Sequence, residues 1–273
     1  MIASDRIISE LEQKLIRSNT SFDSEAFEFL KEYDGPFADL LKENVQVARE
    51  TGLPLCQDTG IVEFFVFMGH KVCLREPIGE ILEKAVRKVY KSQPYRYSTV
   101  VDPLFNRRSR NDNTPPIYHI FSTNGDKLEI LFLVKGGGSE NLSKLYMLNP
   151  STTSQQIEDI VVDHIRENGA RGCPPLNIGI GIGGSADEAI VLSKLALTMS
   201  FKERNPIREY AELEEKMLRE INSLSIGYQG LGVGITAYSV HIKEFPTHIA
   251  TLPLAISVDC YLSRKGKIVI EDR

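Results

Sequence analysis

Between Leu176 and Gly184 the chain reads Leu-Asn-Ile-Gly-Ile-Gly-Ile-Gly-Gly, and this run limits the fold more than any other. Isoleucine at every second position predicts a buried strand, because successive side chains of a strand point to opposite faces. The glycines at 179 and 181 leave the other face bare, which permits another element to pack closely on it. Residues 179–184 also match G-x-G-x-x-G, with Glu203 about 20 residues further on, the formal pattern of a dinucleotide site. That reading is set aside. Gly179 and Gly181 fall inside the strand rather than after it, and the run begins past the middle of a 273-residue chain.

Around this strand the pattern alternates helices and strands. A helix over 4–17 carries Ile7, Ile8, Leu11, Leu15 and Ile16 on one stripe, with Ser4 placed to cap it. Further helices are expected over 36–50, 77–91 and 206–224. Thr153 with Gln156 marks a capping box that opens a helix closed by Gly169, and Ser185 with Glu188 marks a second box. Strands are expected over 62–67, 251–258 and 267–270. The runs 117–121 and 127–134 flank an Asn124-Gly125 turn and predict an antiparallel hairpin. The fold class is therefore α/β, leaning to α+β, with mixed sheets, a hairpin and flanking helices. The polar stretch 92–116, with four prolines and several arginines, is too long for a casual connection and suggests a binding role.

Length and composition narrow the function. The chain suggests one large domain or two intimate lobes over 1–273. Apolar residues make up 42% and charged residues 25%, and the net charge is −5, which excludes a disordered chain and argues against a nucleic-acid partner. The sequence offers no apolar run long enough to span a membrane and no signal architecture at its start, so a cytoplasmic protein is expected.

In that compartment the four cysteines are expected as reduced thiols. Cys73, in Lys71-Val72-Cys73-Leu74, reads as core. Cys56, Cys173 and Cys260 sit where the backbone changes course, beside glycine or proline or at a strand end. They are either three unrelated cysteines or three thiolates gathered by tertiary folding. Lys135-Gly136-Gly137-Gly138 exposes successive backbone N–H groups, suited to a carboxylate or phosphate or to nothing more than a turn.

Taken in order, Cys56-Gln57-Asp58-Thr59-Gly60, Lys135-Gly136-Gly137-Gly138-Ser139-Glu140-Asn141, Gly172-Cys173-Pro174-Pro175 and His248-Ile249-Ala250-Thr251-Leu252-Pro253 with Cys260 beyond resemble the α subunit of class I fumarate hydratases. The wider iron–sulfur hydro-lyase family includes the L-tartrate dehydratase α subunit, and Lys135 with Ser139-Glu140-Asn141 favours the fumarase branch. The resemblance implies a [4Fe-4S] cluster held by Cys56, Cys173 and Cys260, with one iron left open as a Lewis acid. It implies reversible hydration of fumarate to malate. Gln57, Asp58, Arg96 and Gly138 would contact the dicarboxylate, and Asp58 with His248 would relay the proton. Each has a plainer competitor. Asp58 suits a turn that caps its own backbone, His248 a loop position, and Arg107, Arg108 or Arg110 compete with Arg96. His119 reads as structural. Tyr261 departs from the histidine that commonly follows the third ligand. The resemblance further implies a β subunit that completes the site, in an α2β2 assembly, since only 13 residues follow Cys260.

Overall fold

In the computed structural model of the protein, which describes residues 1–271, the apolar run after Gly60 becomes β1 (Ile61–Gly69). Val62, Phe64 and Val66 alternate along it and are fully buried. β1 lies between β2 (Ile117–Thr123), parallel to it, and β3 (Lys127–Lys135), antiparallel to it. With β8 (Lys265–Glu271) the order is β2-β1-β3-β8. Helices α1 (Ser4–Thr20) and α4 (Ile78–Ser92) cover this sheet, contributing Ile7, Leu11 and Leu15 from one and Ile81, Leu82, Val86 and Val89 from the other to a single core. Each such side chain taken out of water stabilises by roughly 1.5–3 kcal/mol. These elements belong to the first of two compact units, formed by Met1–Asp23, Lys42–Gly137 and the chain from Arg264 onward.

The strands expected to form a hairpin both exist, but they do not pair, because β1 stands between them. The Asn124-Gly125 turn crosses the end of β1 instead. His70 N–H donates to the Thr123 carbonyl at 2.9 Å and Lys71 N–H to the Gly125 carbonyl at 3.0 Å. A side chain at Gly69 would stand 2.6 Å from the Gly125 oxygen, so glycine makes the crossing possible. β1 is mostly apolar on both faces, with Phe65 and Phe67 opposite Phe64 and Val66 and Glu63 the one charged side chain, and a strand of that kind gains most from an inner position. His119 is structural here. It stacks on Phe65 and bonds the buried Glu63 at 3.0 Å.

Two smaller expectations also change. Ser4 does not cap α1. Arg6 N–H already donates to the Ala3 carbonyl, so Ala3 is the cap and Ser4 lies one place inside the helix. Cys73 is exposed rather than core. Val72 and Leu74 turn inward to pack on the core, which points the residue between them outward.

The second unit comprises Ser24–Leu41 and Gly138–Ser263. Its sheet has the order β4-β7-β5-β6, formed by β4 (Lys144–Leu148), β5 (Leu176–Gly183), β6 (Ala237–Phe245) and β7 (Leu252–Asp259). The isoleucines of β5 join a core with α6 (Ser154–Asn168) and α8 (Arg208–Ser223). The opposite face carries α7 (Ala186–Ala196). A side chain at Gly179 would stand 2.0 Å from the Ser193 carbonyl oxygen, and one at Gly181 would stand 1.9 Å from that of Ala189. The bare face is thus filled by helix backbone and not by a nucleotide.

The Thr153–Gln156 capping box forms as expected, whereas Ser185 turns its hydroxyl to Asp187 and makes no cap bond. Sequence reading missed β4, β6 and α2 (Ser24–Glu32). It placed α3 (Ala38–Thr51) within two residues of its start, and α5 is a single turn, Gly137–Glu140. Among the described residues no helix is long and apolar enough to cross a membrane.

Candidate active site

In the first unit, the Cys56–Gly60 loop joins α3 to β1 over a buried polar floor. Leu55 N–H donates to the Asn19 carbonyl at 2.8 Å, and Asn19 Oδ1 accepts from Arg264 Nη1 at 3.0 Å. Thr59, fully buried, donates its hydroxyl to the Arg96 carbonyl at 2.5 Å and accepts Tyr90 O–H at its own carbonyl at 2.5 Å. Burial pushes the Tyr90 phenol well above its ordinary range, so it serves as a donor. Asn113, also fully buried, donates Nδ2 to the Gly60 carbonyl at 3.0 Å and accepts Ser98 N–H at 2.6 Å. Buried backbone groups must find partners, and here distant side chains supply them. The long 92–116 stretch thereby acts as a brace for this loop.

Asp58 is oriented by three donors. Its Oδ1 accepts Gly60 N–H at 2.9 Å and the Ser98 hydroxyl at 3.3 Å, and its Oδ2 accepts Gly137 N–H at 2.8 Å. The turn-capping competitor is therefore present, and the glycine run does receive a carboxylate, namely Asp58 of the same unit. Gly60 has φ +71°, and a side chain there would stand 2.6 Å from the Lys135 carbonyl oxygen. Gln57 and Arg96 are exposed. Thr59 fixes the Arg96 backbone, while its guanidinium has no hydrogen bond or ion pair among the described residues.

In the second unit, α6 runs through a 3-10 turn (Gly169–Gly172) into Cys173, whose φ of +55° and ψ of 65° are left-handed. An L-residue held there is strained by about 1–2 kcal/mol. Two backbone bonds hold it: Tyr261 N–H to the Cys173 carbonyl at 3.0 Å and Gln229 N–H to the Pro174 carbonyl at 2.9 Å. Asp259, 2% exposed, accepts Cys260 N–H at 2.9 Å and the Ser139 hydroxyl at 3.5 Å. Lys194 Nζ pairs with Glu140 at 2.7 Å. His164 holds the Leu142 carbonyl at 2.7 Å, and burial lowers its pKa from the ordinary 6.5, so the neutral ring donates.

The second unit thus draws together Ser139, Cys173 and Cys260. Tyr261 contributes its backbone N–H. Gly138 is exposed, has no positive φ, and would meet nothing nearer than 3.8 Å if it carried a side chain. Neither strain nor internal packing demands glycine there. His248 is exposed in the loop before β7, and its Nδ1 accepts Ala250 N–H at 3.1 Å, so the neutral ring carries its proton on Nε2. Cys56 and Asp58 belong to the first unit, and Cys173, His248 and Cys260 to the second. None of the four cysteines is in a disulfide among the described residues. Among the described residues no three His, Cys, Asp or Glu side chains form a single-ion site. Sequence reasoning did not find Asn19, Tyr90, Asn113, Lys194, Asp259 or Arg264. Their partners lie far along the chain, and no local periodicity marks them.

Two mixed sheets flanked by helices make this an α/β fold. The chain matches the fumarate hydratase (Fumerase) family over residues 22–269 and belongs to it. A protein of Methanocaldococcus jannaschii provisionally named L(+)-tartrate dehydratase subunit alpha is 40% identical over 230 residues, covering 82% of this chain and 80% of its own. The L(+)-tartrate dehydratase subunit alpha of Escherichia coli K12 is 30% identical over 230 residues, covering 84% and 76%.

Proposed function

We propose that this chain is the α subunit of a [4Fe-4S] hydro-lyase that reversibly hydrates fumarate to malate, completed by a β subunit in an α2β2 assembly. The whole of 1–273 would act as the α domain, in the cytoplasm. The observation that carries the reading is the pair of cysteines outside any disulfide, Cys173 and Cys260, tied to each other's turns through Tyr261 N–H, with the glycine run's Ser139 joined to the same place through Asp259. Iron–sulfur clusters take thiolates, each on its own iron, so the donors suit such a group better than a single ion. Cys56 would supply the third thiolate.

When bound, that group supplies an open iron that acts as a Lewis acid toward the substrate's carboxylate and hydroxyl. The chain's own residues do the rest. Arg96, its backbone fixed and its guanidinium free, would fork onto one carboxylate, and Gln57 would bond the same end. Gly138 would let the substrate approach the backbone closely. Asp58, oriented by its three donors, and His248, with its proton on Nε2, would form the relay that holds and returns the proton of the hydroxyl. Hydration adds a proton and a hydroxide across the double bond, so no electron transfer is needed.

A second reading, L-tartrate dehydration, is favoured by the names of the relatives. Both reactions remove or add water across the central bond of a four-carbon 2-hydroxydicarboxylate. Ser139 bonds Asp259 and Glu140 pairs with Lys194. The test is an anaerobic assay of the iron-loaded α chain together with its β subunit. A kcat/KM for fumarate at least tenfold above that for L-tartrate supports the first reading, and the inverse ratio replaces it with the second. No turnover of either acid by the loaded complex would overturn both.

A further inference from the structure

Arg264 is the buried charge that the reading above leaves unused. It is 3% exposed, yet among the described residues no carboxylate forms an ion pair with it. Nη1 donates to a neutral acceptor, Asn19 Oδ1, and Nε has no hydrogen-bond partner among the described residues. Tyr90 and Tyr95 flank it, and its charge pulls both phenols downward against the larger effect of burial. A side-chain carbon on Gly136 would stand 3.1 Å from Asp58 Oδ2 and 3.6 Å from Arg264 Nη2, so guanidinium and carboxylate approach the same empty position without bonding. Asn19, which Arg264 holds, is the residue whose carbonyl anchors Leu55 beside Cys56.

A buried cation bonded only to neutral groups destabilises a fold, here with the neighbouring Asp58 already held by three other donors, and such a group persists where a counter-charge arrives with function. We infer that Arg264 is a positioning residue that braces the Cys56–Gly60 loop through Asn19 and supplies the positive charge against the cluster-bound thiolate of Cys56. The inference rests on the [4Fe-4S] reading and adds to it a residue outside the motifs. It has a consequence that a purely structural arginine would not share. Removing the charge should not weaken the empty chain, but should loosen its hold on iron.

The test uses the full-length α chain, with Arg264→Gln, which keeps a donor for Asn19 Oδ1, and Arg264→Lys, which keeps the charge. Thermal midpoints are measured before loading. Iron per chain is then followed under a chelator after anaerobic reconstitution with iron and sulfide. The expected result is a midpoint for Arg264→Gln equal to or above wild type, iron lost at least tenfold faster, and retention largely restored by Arg264→Lys. The inference is overturned if Arg264→Gln holds iron as long as wild type, if its empty chain melts ten degrees lower or fails to fold, or if Arg264→Lys loses iron as fast as Arg264→Gln. A wild-type chain that takes up no iron would overturn the cluster reading and this inference with it, whereas equal retention by a loading wild type overturns the inference alone.

Discussion

Around Cys56 the first unit sets Asn19, Tyr90, Asn113 and Arg264, each reaching the loop from a different stretch of chain. Around Cys173 and Cys260 the second unit relies mainly on backbone: a left-handed turn, Tyr261 N–H on the Cys173 carbonyl, and a sheet whose glycines seat α7 directly. The two cysteine sites are held by different physics. A side-chain network weakens one bond at a time, while backbone seated on backbone has no room to give.

The largest effect is expected where that room is least. Gly181→Ala places a methyl 1.9 Å from the Ala189 carbonyl, so α7 must lift from β5. Urea denaturation should show a loss of more than about 3 kcal/mol. A loss below about 1 kcal/mol would mean that α7 does not rest on β5 as described. In the first unit, Asn113→Ala removes two bonds and leaves the Gly60 carbonyl buried without its partner, for an expected loss of about 2 kcal/mol. An unchanged denaturation midpoint would show that the loop floor does not depend on it. The smallest effect is one of pH. The His164 pKa is lowered in the folded state, so its contribution is present above 6.5 and is lost as pH falls through the folded value. Stability measured from about pH 7 down to about pH 5 should therefore decline more steeply in wild type than in His164→Gln. Equal slopes would contradict the burial assigned to that ring.

The same contrast explains what the sequence revealed. β5 was legible because its isoleucines and glycines each occupy one face, and α6 because Thr153 and Gln156 are three residues apart. Strands β1, β2 and β3 were each legible, but their pairing was not, since an Asn-Gly turn reports its own geometry and nothing about a third strand inserted beside it. β6 escaped notice although Tyr238, Val240 and Ile242 alternate, because His241, Lys243 and Glu244 break the apolar run. The cysteine turns stood out through their glycine and proline neighbours. The loop floor did not, because its bonds join distant residues: Arg264 meets Asn19 across 245 positions, and Thr59 meets Arg96 across 37.

The most direct test of the account is anaerobic reconstitution of the full chain with iron and sulfide, comparing wild type, Cys173→Ala and Cys73→Ser. The account predicts uptake of about four irons by wild type and by Cys73→Ser, whose thiol is exposed and apart from the motifs, and failure of Cys173→Ala. A Cys173→Ala chain that loads like wild type, or a Cys73→Ser chain that does not load, would contradict it.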